Sequence, residues 1–219
     1  MSRLPLFVLA SVVLAALLSG CGASTPPAAT VGDHQISRAD LNRDLRAIRD
    51  NKPLGKSTQT PLFTTKGTLD ARYTSIWLSQ LIQLRVIEDM FDARHLTVTA
   101  QDRAAAQQEA EQTFGDPSLF DAFPSSFKTR YIDALARSAA LARSELSGAA
   151  DQQAAQQRLA TQFRDELVKA HVKVDPRYGS ARIDDQGFQV VPPAAPNPRE
   201  KPKTTTTTAP SPAGASPSG

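Results

Sequence analysis

Apolar residues recur at helical spacing through most of this chain and alternate with polar ones only near its two ends. The longest apolar block is residues 69–95, LDARYTSIWLSQLIQLRVIEDMFDARH. Leu69, Tyr73, Ile76, Leu84, Ile87 and Phe91 fall at helical spacings on one broad face. Trp77, Leu78, Leu81, Ile82, Val86 and Met90 carry apolar surface much further round. A helix apolar over so much of its circumference is buried by neighbours on several sides, so this pattern predicts a central core helix.

Amphipathic helices are predicted around it. Ser37 and Asp40 form a capping-box signal ahead of a helix over 38–51, with Leu41, Leu45 and Ile48 as its stripe. Residues 51–67 carry two prolines and two glycines and read as a loop, pinned to the core by Leu62 and Phe63. Thr99 and Asp102 cap a helix over 100–114 that is rich in Ala, Gln and Glu and reads as a surface helix stopped by Gly115. In SLFDAFPSSF, Leu119, Phe120, Phe123 and Phe127 surround Pro124; they either plug the end of the bundle or line an apolar groove. A helix over 126–146 presents Tyr131, Leu135, Ala139 and Leu146, and Asp151 caps a last helix reaching residue 170 with Leu159, Phe163 and Leu167.

The alternating segments lie outside this helical stretch. Residues 30–37 contain a Gly-Asp turn between Val31 and Ile36, residues 172–179 read as a short strand, and 183–193 as a further extended piece. The fold class is therefore mainly α: a bundle of about five helices, with short N- and C-terminal extended segments pairing. Residues 194–219 are Pro, Thr, Ser, Ala and Gly with an unbroken threonine run at 204–208, a composition that predicts a disordered C-terminal tail.

The first twenty residues have the three parts of an export signal: Arg3, an apolar run over 4–18, then small residues. The end of that run, Leu18-Ser19-Gly20-Cys21, resembles the bacterial lipobox. The resemblance implies cleavage before Cys21 and a diacylglycerol on its sulfur, and two long acyl chains hold a protein firmly where one does not. Residues 21–29 then form the lipidated cysteine and its spacer. The expected place is the outer face of a cytoplasmic membrane, or an outer membrane where the cell has one.

Composition narrows the chemistry. Over 219 residues the formal charge is only +3 and aromatics make up 6%, with no basic-aromatic interleaving, so no nucleic-acid partner is indicated. Cys21 is the one cysteine, which excludes an intramolecular disulfide and a cysteine-based zinc cluster. His34, His95 and His171 lack metal-motif spacing, and neither a cofactor motif nor a catalytic signature is present. Asp33-His34 and Glu88-Asp89 are sequence neighbours that read as solvated. The expectation is a non-enzyme without metal or cofactor.

Four segments in order resemble the SurA N-terminal domain family of extracytoplasmic chaperones: TVGDHQISRADLNRDL, LSQLIQLRVIEDMFDAR, LTVTAQD and VKVDPRYG. The resemblance covers residues 30–193 and implies a helical chaperone-like module whose N-terminal segment packs beside the last helix and strand. Many relatives insert a parvulin prolyl isomerase domain before that last helix. Between residues 96 and 171 this chain has no glycine pair and, inside those bounds, no histidine, so isomerase activity is not carried over. The leading expectation is a lipid-anchored holdase for unfolded or partly folded exported proteins. Its client groove would be walled by Trp77, Phe91, Phe120, Phe123 and Phe127 together with the Leu62-Phe63 loop. The alternatives are that these residues are ordinary core, that the chain is an envelope scaffold with one specific partner, or that it is an isomerase relative with residual activity.

Overall fold

A computed structural model of the chain describes residues 26–57, 62–64, 68–147, 149–184 and 187–194. The export signal with Leu18, Ser19, Gly20 and Cys21, the first part of the spacer and the tail from residue 195 lie outside the described residues. No described helix is long and apolar enough to cross a membrane.

Strands β1 (Ala29–Val31) and β2 (His34–Ile36) pair antiparallel around the Gly32-Asp33 turn. Gly32 sits at φ +56°, a conformation that glycine adopts at little cost and that suits a two-residue hairpin loop. On its other edge β1 pairs with β3 (Lys173–Val174), so the two ends of the domain join in one small sheet of order β2-β1-β3. Two further contacts lock this junction. Arg38 Nη2 donates to Asp175 Oδ2 at 2.6 Å, and the Gly32 N–H donates to the Ala170 carbonyl at the end of the last helix.

Helix α1 (Arg38–Asp50) begins where the capping signal predicts: the Ser37 side chain accepts from the Asp40 N–H. The next segment departs from the expected loop, because Lys52–Ser57 forms a short helix, α2. Asn51 explains it: its Oδ1 accepts from the Leu54 N–H at 3.0 Å, and Pro53 falls in the first turn, where its missing N–H costs nothing. Asn51 Nδ2 meanwhile donates to the Leu119 carbonyl, tying α2 to the phenylalanine-rich corner. Leu62 is buried and Phe63 bridges Leu69, so these two residues sit on the core as expected.

The central helix, α3 (Ala71–Ala93), has Asp70 as its N-cap and is touched by α1, β1 and three later elements. Those are α6 (Ser125–Leu146), α7 (Gln152–Lys169) and β5 (Gly187–Val191). Leu78 and Ile82 are fully buried, and Val86 nearly so. Ile76 corrects the broad-face expectation: it is 61% exposed.

Helix α4 (Ala100–Thr113) is not simply a surface helix. It lies along α6, with Ala106 and Ala110 fully buried, because alanine lets two helix backbones approach closely. The Thr99–Asp102 capping box forms as predicted, and Asp102 also receives two bonds from Arg143 of α6, at 2.9 and 3.0 Å. Helix α5 (Pro117–Asp121) is a single turn started by Asp116. Asp151 caps α7 as expected.

The chain finishes in an antiparallel hairpin, β4 (Ser180–Asp184) with β5. Phe188 and Val190 of β5 are buried and close the face of α3 that the helices leave uncovered. Five long helices, two short ones and the paired ends make up the mainly α fold among the described residues.

Candidate functional site

The sequence-predicted aromatics are brought together, but mostly inside the protein. Phe120, Phe123, Phe127 and Trp77 are all more than nine-tenths buried. They form one cluster with two residues that the groove prediction omitted, Phe114 and Tyr131. Phe123 and Phe127 stack at 4.4 Å, Trp77 lies 5.6 Å from Phe127 and 5.8 Å from Tyr131, and Phe114 is 4.7 Å from Phe123. Such ring pairs contribute beyond their burial, about 0.5–1.5 kcal/mol each. Phe120 and Phe123 lie inside this cluster at the end of the bundle, as the plug reading expects, and do not face the opening described next. Pro124 makes this possible by ending one turn and starting α6 beside it, which folds Phe120, Phe123 and Phe127 back onto one another. Phe91 is buried about four turns further along α3 than Trp77 and does not join the main core.

Trp77 and Phe127 nevertheless reach an opening. A hollow of about 240 Å³ lies between α3 and α6, with α1 and β2 along one side. Its floor is Trp77, Leu81, Leu84, Phe127, Tyr131 and Ala134. Its rim carries four arginines (Arg43, Arg85, Arg130 and Arg137) against three carboxylates (Asp40, Asp44 and Glu88). A second apolar hollow of about 250 Å³ lies on the other side of Trp77, walled by residues that include Leu45, Ile48, Leu62, Tyr73 and Ile76. Trp77 thus borders both hollows, and residues of α1 line each of them.

The rim is electrostatically organised. Asp44 sits on the apolar stripe of α1 with its side chain 9% exposed, and Arg130 Nη2 donates to it at 2.7 Å. Arg85 donates to Glu88 and Asp89 of its own helix, both at 2.7 Å. Arg137 reaches Glu88 only at 3.4 Å, and Arg43, Arg130 and Arg137 keep 35–45% of their side chains in solvent. Serine 37 and Arg43 hold the Asp40 carboxyl below its usual range. On the floor, burial pushes the Tyr131 hydroxyl up to about 12, so it stays a neutral phenol at any physiological pH. The Trp77 indole N–H is buried and has no acceptor among the described residues.

Among the described residues no group of three or more His, Cys, Asp or Glu side chains could hold a metal ion. His34 is exposed in the β1–β2 hairpin, 3.5 Å from Asp89, and His95 and His171 end helices. The arrangement offers apolar contact and cationic hydrogen-bond donors. Sequence reasoning found Trp77 and Phe127 but not the rest of the floor: Leu81 and Leu84 are indistinguishable from core residues until α6 is seen to leave them partly uncovered. Comparison with family models, curated proteins and solved structures finds no match to this chain.

Proposed function

We propose that the mature chain is a membrane-anchored extracytoplasmic lipoprotein that binds unfolded or partly folded exported polypeptides and performs no reaction on them. The hollow between α3 and α6 carries this reading. Its apolar floor suits the side chains of an unfolded chain, and its half-exposed guanidinium groups suit the carbonyl oxygens and carboxylates such a chain brings. The unpartnered Trp77 N–H adds to the argument, since an unmet buried donor costs about 1–3 kcal/mol and a bound chain supplies acceptors. The Leu18-Ser19-Gly20-Cys21 motif supports the anchor, and the resemblance to the SurA N-terminal domain family supports the class of client.

Trp77 is the sole tryptophan and borders both hollows, so its emission reports on ligands in either, and Leu84, which lines only the first, tells the two apart. Titration with a permanently unfolded, apolar-rich polypeptide shifts the emission and slows aggregation of that client, and Leu84→Asp removes both effects while leaving the helical content unchanged. An emission that does not move, with aggregation unaffected at several-fold excess, refutes the reading. Crosslinking in cells supplies the further arm: a broad set of clients is expected, and one dominant partner replaces the holdase with a scaffold. Cys21→Ala releases the protein from the membrane fraction if the anchor is as proposed.

A further inference from the structure

The two edges of the C-terminal hairpin differ. The β5 edge is sealed by α3: the Val190 N–H donates to Ser79 Oγ, and Gln83 Nε2 donates to the Phe188 carbonyl. Those two bonds also fix the phase of the ladder. In an antiparallel pair, successive residues point their N–H and C=O alternately toward and away from the partner strand. Since Phe188 and Val190 point away from β4, their cross-strand partners Ile183 and Ala181 point away from β5. The main-chain groups of Ala181 and Ile183 therefore line the outer edge of β4, and no hydrogen bond joins them to another described element. Among the described residues the other sheet edges, β2 and β3, are only three and two residues long. An open edge of five residues is a template for a further strand.

The side chains of β4 specify which strand. Arg182, Ile183 and Asp184 place a positive charge before, and a negative charge after, a β-branched apolar residue whose main chain faces outward. When two copies of this strand run antiparallel about Ile183, each Arg182 falls opposite the Asp184 of the other copy. The two Ile183 residues then exchange N–H···O=C bonds, and both isoleucine side chains lie on the face that carries the buried Phe188. Centring the pair on Arg182 instead sets two like charges against each other, which is destabilising. We infer that the outer edge of β4 is a self-association surface, through which two copies of this chain join their hairpins into one four-stranded sheet about a two-fold axis at Ile183.

Within one chain Asp184 already pairs with Arg182 at 3.1 Å and accepts from Gln189 Nε2 at 3.3 Å, but Arg182 is 63% exposed on its side chain, so the Arg182–Asp184 pair adds little to the stability of the monomer. Charge reversal therefore reads the interface rather than the fold. Sedimentation equilibrium of the full-length chain in a mild detergent is expected to show a concentration-dependent monomer–dimer equilibrium. Arg182→Asp and Asp184→Arg each weaken it by about tenfold or more, because every reversal acts twice across the axis, and the R182D/D184R double variant restores it. Thermal unfolding of each variant, near that of the parent, confirms that the monomer is intact. Ile183→Cys in a Cys21→Ala background is expected to crosslink under mild oxidation, since directly opposed residues lie about 5.5 Å apart at Cα. Arg182→Cys in the same background should not, being displaced from its own copy by two positions. A chain that stays monomeric at every concentration overturns the inference, as do a dimer indifferent to the single reversals, a double variant that fails to restore it, and crosslinking at 182 in place of 183.

Discussion

The backbone N–H of Val190 donates to the side chain of Ser79 at 2.7 Å, joining the last strand to the middle of the central helix. Ser79 Oγ in turn donates to the Ser75 carbonyl, Ser75 Oγ donates to the Tyr178 carbonyl, and Gln83 donates to the Phe188 carbonyl. Ser75, Ser79 and Gln83 are four residues apart, so they form one polar stripe on an otherwise apolar helix. That stripe takes the place of a neighbouring strand for β5. It lets the hairpin cover this side of α3, because the hairpin's outward main-chain groups could not be buried against a wholly apolar surface.

Ser79→Ala leaves the Val190 N–H buried without an acceptor, and the expected loss of stability is about 1–3 kcal/mol. Urea unfolding measures it. Amide exchange at Val190 should speed up with it, whereas exchange in α4 should keep pace only with the global loss. Gln83→Ala, at a half-buried bond of 3.3 Å, should cost less than Ser79→Ala.

Asp102 makes stability dependent on acid. Its carboxylate accepts twice from Arg143 and from both the N–H and the hydroxyl of Thr99, and these bonds hold it well below the usual carboxylate range. A carboxyl depressed in the folded state contributes stability that is fully present above its unfolded value, near 3.9, and is lost as pH falls toward the folded one. Asp175, held down to about 2 by Arg177 and Arg38, adds to the same window. Unfolding free energy should therefore be flat for these groups from pH 7 to about 5 and fall below about 4. Asp102→Asn should flatten that acid limb and cost roughly 2 kcal/mol at pH 7, a value reduced by the partial exposure of Arg143.

Packing of α4 on α6 rests on small residues. Ala106→Leu or Ala110→Leu forces extra volume between two helices in close contact and should destabilise by about 1–3 kcal/mol. Ala105→Leu, on the exposed side of the same turn, should change stability by no more than about 0.5 kcal/mol. Equal effects at 105 and 106 in thermal unfolding would show that α4 is not seated by this face.

Much of this architecture could be read in the sequence, and the failures have physical causes. Caps are local, so Ser37, Thr99 and Asp151 marked their helices within a residue or two. Paired ends were legible because alternation appears only at 30–37 and beyond 172. Residues 52–57 were missed as a helix because Pro53 and Gly55 look like breakers, and the contact that allows them is the Asn51 cap. Alanine burial in α4 was invisible because an alanine is equally at home in solvent and in a tight helix seam; only the partner decides. The same ambiguity governs the groove. Phe120 and Leu84 are both apolar residues at helical spacing, and nothing local tells the plugged one from the one left at an opening. Ser79 shows the converse: a serine on a core helix reads as tolerated polarity until the strand it serves arrives from over a hundred residues away.

Two helix ends carry a strain that substitution can relieve. His95 follows the C-cap of α3 at φ +52°, and His171 follows the C-cap of α7 at φ +45°. Both are left-handed positions, where glycine is the usual residue and an L side chain pays about 1–2 kcal/mol through contact of its Cβ with the following carbonyl. Glycine removes that contact but adds about 0.4–1 kcal/mol of freedom to the unfolded chain. His95→Gly and His171→Gly should each stabilise by up to about 1 kcal/mol, or raise the melting temperature by about 2–4 °C for a domain of this size. His34→Gly provides the contrast: it lies in β2, where glycine only loosens the strand, and should lower the melting temperature. A fall at all three positions would mean that the histidine side chains at the helix ends stabilise the fold by more than their backbone strain costs.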